Sequence, residues 1–268
     1  MEFITDKVYT DVFSMAYIRF GHGKNPLVIL PGLSIQSMIP LAPVLVKQYE
    51  IFTKDFTVYL FDRRLEVPSN YPINEMASDT VKVLRKLNLN DISLFGTSQG
   101  GMMAMVIAEE YPKLVRKLVL CSTAVRIDEE RFSVIAEWIA LARKKDCEGL
   151  YLSVFGKVFP KDYFEQNKSA FLQMAKTVTE EELANFIVRA ESIRNFTAEK
   201  KIARIQCPVL LAGDKKDDVF GIEPTIELTK ALCFNPNLET ELYSGYGHAL
   251  YDTAPGFKER MYRFLTKN

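Results

Sequence analysis

The strongest constraint in this chain is a rhythm. Short apolar runs that close on glycine, proline, serine or aspartate alternate with stretches of helical spacing. "NPLVILPG" (25–32), "FTVYLFD" (56–62), "DISLFG" (91–96), "LVRKLVLCS" (114–122), "PVLLAGD" (208–214) and "LETELYS" (238–244) read as strands. An unbroken apolar run such as Leu27–Leu30 suits a strand buried on both faces. Two further short strands are expected within "KVYTDVFSMAYIRFGHG" (7–23). Helical stretches fall between the runs, at about 38–52, 73–87, 99–111, 223–232 and 255–265. In the second, Met76, Val81, Leu84 and Leu87 fall at helical spacing. Such alternation predicts βαβ units and a mostly parallel sheet.

The rhythm stops after Ala124 and resumes near Pro208. Between Arg126 and Ile202 no strand pattern occurs. Helical patterns appear instead at 129–144, around Tyr151, at 163–175 and at 180–195. Thr179 before Glu180, Glu181 and Glu182 is a helix N-cap with acids in the first turn. The expected organisation is an α/β core of residues 1–125 and 203–268, interrupted by an all-helical insertion of residues 126–202.

The 268 residues, 48% hydrophobic, suffice for one sizeable core. Lys and Arg total 34 and so do Asp and Glu. A balance this even lacks the basic field that nucleic acids and anionic membranes require. No run approaches the roughly 18 apolar residues of a membrane span. The first residues, "MEFITDKVYTDVFS", carry acids where a secretory signal would be apolar. These features predict a soluble cytoplasmic protein. Cys121, Cys147, Cys207 and Cys233 are widely spaced and form no metal-ligand pattern. They are expected to be reduced and mostly buried, with no metal.

Where the chemistry lies is suggested by "LFGTSQGG" (94–101). Composition alone puts a G-x-S-x-G in about one chain of this length in ten. Context makes the motif informative. Ser98 stands between an expected strand and an expected helix, so a sharp turn would lift it above the end of the sheet, with Gly96 and Gly100 as the small neighbours such a turn needs. The N–H of Gln99, at the helix start, would donate to an oxyanion. A serine nucleophile needs a base, and the chain has only His22 and His248. His248 follows a strand, so it shares a sheet edge with Ser98; His22 precedes one and falls at the opposite edge. A carboxylate should orient the imidazole, and Asp214, Asp217 and Asp218 all follow a strand end. The N–H of Leu33, with Gly32 allowing close approach, is the second oxyanion donor expected.

These residues occur in the order "LPGLS", "FDRR", "GTSQGG", the helical insertion, "VLLAGDKKDDVFG" and "GYGHALYDTAP". Over essentially its whole length the chain resembles the α/β-hydrolase fold superfamily, whose order is Ser, Asp, His. Proline stands at Pro31, where many relatives carry histidine. Aligning "DDVFG" with the family pattern favours Asp217 as the acid, with Asp218 the alternative and Asp214 behind both. The resemblance implies an eight-stranded, mostly parallel sheet with helices on both faces and a helical cap over the site. Trp138, Phe155 and Phe159 would then shape the pocket, with Met102 and Met103 nearby. It further implies a serine hydrolase of small esters, thioesters or lactones that works through an acyl-enzyme without a cofactor. The same triad serves aminopeptidases, C–C bond hydrolases and cofactor-free perhydrolases, and a non-catalytic binding protein on this fold is the remaining alternative.

Overall fold

The computed structural model describes residues 2–267. Eight strands form one sheet: β1 (Phe3–Tyr9), β2 (Ser14–Phe20), β3 (Asn25–Leu30), β4 (Phe56–Arg64), β5 (Ile92–Thr97), β6 (Val115–Cys121), β7 (Val209–Asp214) and β8 (Leu238–Tyr243). Their order is β1-β2-β4-β3-β5-β6-β7-β8. β2 is antiparallel to both of its neighbours, and the pairs from β4 through β8 are parallel. The expected α/β-hydrolase architecture is therefore present. Every residue of β5 and of β7 is buried, whereas edge strand β1 is exposed at all but Val8.

Two hydrophobic clusters lie on the two faces of the sheet. Leu94 and Leu118 point to one, with α2 (Ile73–Lys86) and α3 (Gln99–Glu110). Phe95 and Val119 point to the other, with α1 (Ala42–Gln48) and the C-terminal helix. The period-2 alternation of side chains explains this division.

The strand order creates a crevice. The connection leaving β3 runs toward β4, while that leaving β5 runs toward β6 on the other side. Beyond the C-terminal ends of adjacent β3 and β5 the two connections diverge, at the switch point where α/β sheets place their sites.

Four helices lie between β6 and β7: α4 (Glu129–Arg143), α5 (Cys147–Val158), α6 (Lys161–Ala175) and α7 (Glu180–Glu191). One antiparallel bridge, Arg126 to Thr197, joins the ends of this segment. Thr179 and Glu182 form a reciprocal capping box at the start of α7. After β7 come α8 (Glu223–Ala231), α9 (Leu250–Thr253) and α10 (Phe257–Thr266).

Some boundaries differ from expectation. The helix expected at 38–52 is a seven-residue α-helix flanked by 3-10 turns, because Pro40 and Pro43 supply no N–H to a continuous ladder. The helix expected at 255–265 is α10, which starts after Gly256, whose φ is 79°, and the short α9 precedes it. Of the cysteines only Cys121 is fully buried; Cys147 and Cys207 are half-buried and Cys233 is exposed. Among the described residues no helix is long and apolar enough to cross a membrane.

Candidate active site

Ser98 separates β5 from α3 and has φ 51° and ψ −121°. A non-glycine residue there carries about 1–3 kcal/mol of strain that its surroundings must hold. Three hydrogen bonds do so. Ser98 N donates to Cys121 O at 3.0 Å, Met102 N donates to Ser98 O at 3.1 Å, and Thr123 Oγ1 donates to Ser98 O at 2.8 Å. The glycines flanking it are sterically required. A Cβ on Gly100 would lie 2.1 Å from Leu30 O, and one on Gly96 would lie 2.4 Å from Gly100 O. Strand β3, helix α3 and the turn between β5 and α3 thus interlock through absent side chains.

Gly32, after β3, reaches the serine directly. A Cβ there would sit 3.1 Å from Ser98 Cβ and 3.7 Å from Ser98 Oγ. The Leu33 amide donates to nothing among the described residues, and the Gln99 amide opens α3 with no helical carbonyl behind it. Arg63, at the end of β4, grips this loop from one side: its Nη2 donates to Gly32 O at 3.0 Å and also to Pro31 O. In a trans peptide the C=O and the following N–H point opposite ways. A guanidinium on Gly32 O therefore turns the Leu33 N–H away from Arg63.

His248 and Asp217 come together, as the strand polarity required. His248 Nδ1 lies 2.8 Å from Asp217 Oδ2, with both side chains at most 5% exposed. Asp217 Oδ1 is occupied separately, accepting from Val219 N at 2.8 Å and Phe220 N at 3.0 Å. An ionised carboxylate only accepts, so Nδ1 carries the proton and Nε2 is left with a free lone pair. The ring of Phe220 meets the imidazole edge-on at 5.3 Å. Among the described residues no hydrogen bond joins Ser98 Oγ to His248.

The two other aspartates lie elsewhere. Asp218 is exposed. Asp214 is buried and accepts from Lys216 N at 2.7 Å, Gly245 N at 3.1 Å and Tyr246 N at 2.9 Å. It ties the loop bearing Asp217 to the loop bearing His248. His22 is exposed in the turn before β3, away from this edge.

The inserted helices touch the same loops. Gln99 Nε2 donates to Arg189 O at 2.6 Å and to Ser192 Oγ at 3.1 Å. Ala249 N donates to Val158 O at 2.9 Å. Phe155 and Phe159 stack within the insertion against Phe171, at 4.2 and 6.0 Å between centroids. Trp138 is buried in α4, and Met102 and Met103 are buried in the core on α3.

The profile of the alpha/beta hydrolase fold family matches residues 25–255. The chain belongs to that family. Serine hydrolase BPHL of Mus musculus is 28% identical over 159 residues, 54% of this chain and 53% of that protein, so the chain spans about half of that relative in the match. RutD of Agrobacterium fabrum, a protein named for carbamate hydrolysis, is 24% identical over 227 residues, 81% of this chain and 86% of that one. The solved enol-lactonase of Burkholderia xenovorans LB400 superposes with a TM-score of 0.83 over 98% of this chain and 100% of its own, at 19% identity. At that identity the likeness is one of fold.

Sequence reasoning passed over two residues of this α/β-hydrolase-fold site, Arg63 and Arg189. The signal for Arg63 was present in "FDRR", where charge follows directly on a buried apolar run. Arg189 lies on an amphipathic helix where its inward aim leaves no mark.

Proposed function

We propose that the chain is a serine hydrolase of small esters, thioesters or lactones. Ser98 Oγ attacks the carbonyl carbon while His248 Nε2 takes its proton. The N–H groups of Gln99 and Leu33 receive the oxyanion, and Asp217 keeps the imidazole in the productive tautomer and offsets its positive charge. When the tetrahedral adduct collapses, His248 returns the proton to the leaving oxygen or sulfur. Water, deprotonated by His248, then attacks the Ser98 ester, and the acid departs. Residues 126–202 act as a cap that sets which acyl and leaving groups enter.

The observation that carries this reading is the buried 2.8 Å pairing of His248 with Asp217 on the sheet edge that carries a strained serine. The carbamate-hydrolase and enol-lactonase names of curated proteins that match the chain agree with acyl chemistry at one carbonyl. A fluorophosphonate probe tests it. Folded protein should label at Ser98 and lose labelling in Ser98→Ala. Folded protein that does not label, or a Ser98→Ala variant that labels equally, overturns the proposal. A panel of esters, thioesters and lactones of graded chain length then ranks the substrates.

A further inference from the structure

Arg63 and Arg189 present a charge problem at the boundary between core and insertion. Arg63 is 4% exposed and Arg189 7%. Arg63 spends Nη2 on the Pro31 and Gly32 carbonyls, while its Nε and Nη1 are buried without a partner among the described residues. Arg189 spends Nε on Asn185 O at 3.1 Å, and its two terminal nitrogens donate to nothing among the described residues.

The nearby carboxylates are already engaged. Asp62 accepts from Ser37 Oγ, Met38 N and Arg63 N. Glu182 accepts from Gln36 Nε2, Thr179 N and Thr179 Oγ1. Neither lies within salt-bridge reach of either guanidinium. Burial pushes the Arg63 guanidinium down to about 10, with the Arg189 charge adding to it, so Arg63 remains cationic at neutral pH; burial lowers Arg189 as well. Arg63 carries two buried donors without a partner among the described residues, and the terminal nitrogens of Arg189 donate to no described protein group, an arrangement that an anion relieves.

The location gives this arrangement a purpose. Arg63 holds Gly32, whose missing Cβ brings the loop against Ser98. Arg189 O receives the side chain of Gln99, the residue after Ser98. Both arginines are therefore anchored to the immediate neighbours of the proposed nucleophile. We propose that Arg63 and Arg189 form a subsite for a carboxylate carried by the substrate, so that the preferred ester, thioester or lactone is anionic at a position remote from the scissile carbonyl. A guanidinium with two adjacent free N–H groups matches the planar fork of a carboxylate. The inference rests on the hydrolase reading for its catalytic consequence, but not for the binding itself.

Arg189 is the residue to vary, because Arg63 also holds the loop. The substrates are mono-4-nitrophenyl glutarate and 4-nitrophenyl pentanoate, similar in length and differing in a terminal carboxylate. Wild type should favour the glutarate ester in kcat/KM by about tenfold or more, and in Arg189→Gln that ratio should fall to about one. Equal use of both esters by wild type, or an equal loss on both in Arg189→Gln, overturns the subsite. Binding is measured separately by thermal shift on Ser98→Ala. Glutarate should raise the Tm when Arg189 is present and not when Arg189→Gln is added. No rise with glutarate, or a rise with inorganic phosphate alone, also overturns it. If neither ester is cleaved and the probe does not label wild type, the hydrolase reading fails and the glutarate shift still decides the subsite. Should Arg189→Gln not fold, Arg189→Lys keeps a charge without the fork, and the wild-type preference stands as a test by itself.

Discussion

Replacing Asp217 by Asn tests the orientation of His248 with little other disturbance. Asp217 Oδ1 accepts two backbone N–H groups, from Val219 and Phe220, and Oδ2 faces His248 Nδ1. An amide has one oxygen and one NH2. If the oxygen keeps the two backbone donors, the NH2 faces Nδ1, and the imidazole must carry its proton on Nε2. That tautomer cannot accept a proton from Ser98. The flipped amide restores the useful tautomer but points NH2 at two buried N–H groups. Each unmatched donor costs about 1–3 kcal/mol, so a total near 3 kcal/mol leaves the useful arrangement in about one molecule in 150. Loss of the carboxylate charge that offsets the imidazolium adds to this, for an overall fall in kcat of about 10³–10⁴. KM should move little, since Asp217 meets only His248 and backbone, and Tm should stay within a few degrees because both backbone bonds survive. The assay is 4-nitrophenyl butyrate turnover, with the fluorophosphonate labelling rate as a check on Ser98 itself. Asp218→Asn alters an exposed side chain and should remain within about twofold of wild type. An Asp217→Asn enzyme with more than a tenth of wild-type kcat, or an Asp218→Asn enzyme equally impaired, refutes the reasoning.

Leu33→Pro deletes one amide donor and should lower kcat by about 10²–10³, whereas Leu33→Ala keeps the amide and should keep most of the rate; comparable activity in both would remove Leu33 from the oxyanion role. Arg189→Met replaces a buried, unpaired guanidinium with an apolar chain of similar length and should stabilise the fold by about 1–3 kcal/mol, read as a Tm higher by a few degrees, while cleavage of the anionic ester falls; a lower Tm would mean that the charge is satisfied in the free protein.

The parts of this molecule that were legible in the sequence are those governed by local periodicity. β5 and β7 are unbroken apolar runs, and each is buried along its full length. Strand polarity then separated His248 from His22 without any knowledge of contacts, because residues after parallel strands share one edge. Spacing stopped short of choosing an acid: three aspartates stand within five residues at and after the end of β7, and only family resemblance favoured Asp217 over Asp218. Burial and hydrogen bonding separate all three, since Asp217 meets His248, Asp214 meets backbone amides of two loops, and Asp218 meets solvent. The arginine pair was illegible for another reason. Arg63 ends a core strand and Arg189 sits on an inserted helix, and no period in the chain registers one against the other. Phe155 and Phe159, whose part in a pocket is an expectation from the resemblance, stack on Phe171 inside the insertion.

The switch between β3 and β5 explains why one short glycine loop and one strained serine suffice to organise this edge. β3 and β5 are hydrogen-bonded neighbours, with Leu30 opposite Gly96, so the residues that follow them must rise side by side. Gly32 and Gly100 remove the side chains that would hold those connections apart. The inserted helices then bind to what rises there: Gln99 to Arg189 and Ser192, and Ala249 to Val158. These contacts fall one residue from Ser98 and one from His248. The insertion is therefore not a cover set at a distance from the chemistry. A displacement of α7 pulls on Gln99, the residue proposed to supply an oxyanion amide, and a displacement of the α5–α6 corner pulls on His248, the proposed base. Substitutions in the insertion that alter which substrate enters should for this reason change kcat together with KM, whereas a remote lid would change KM alone.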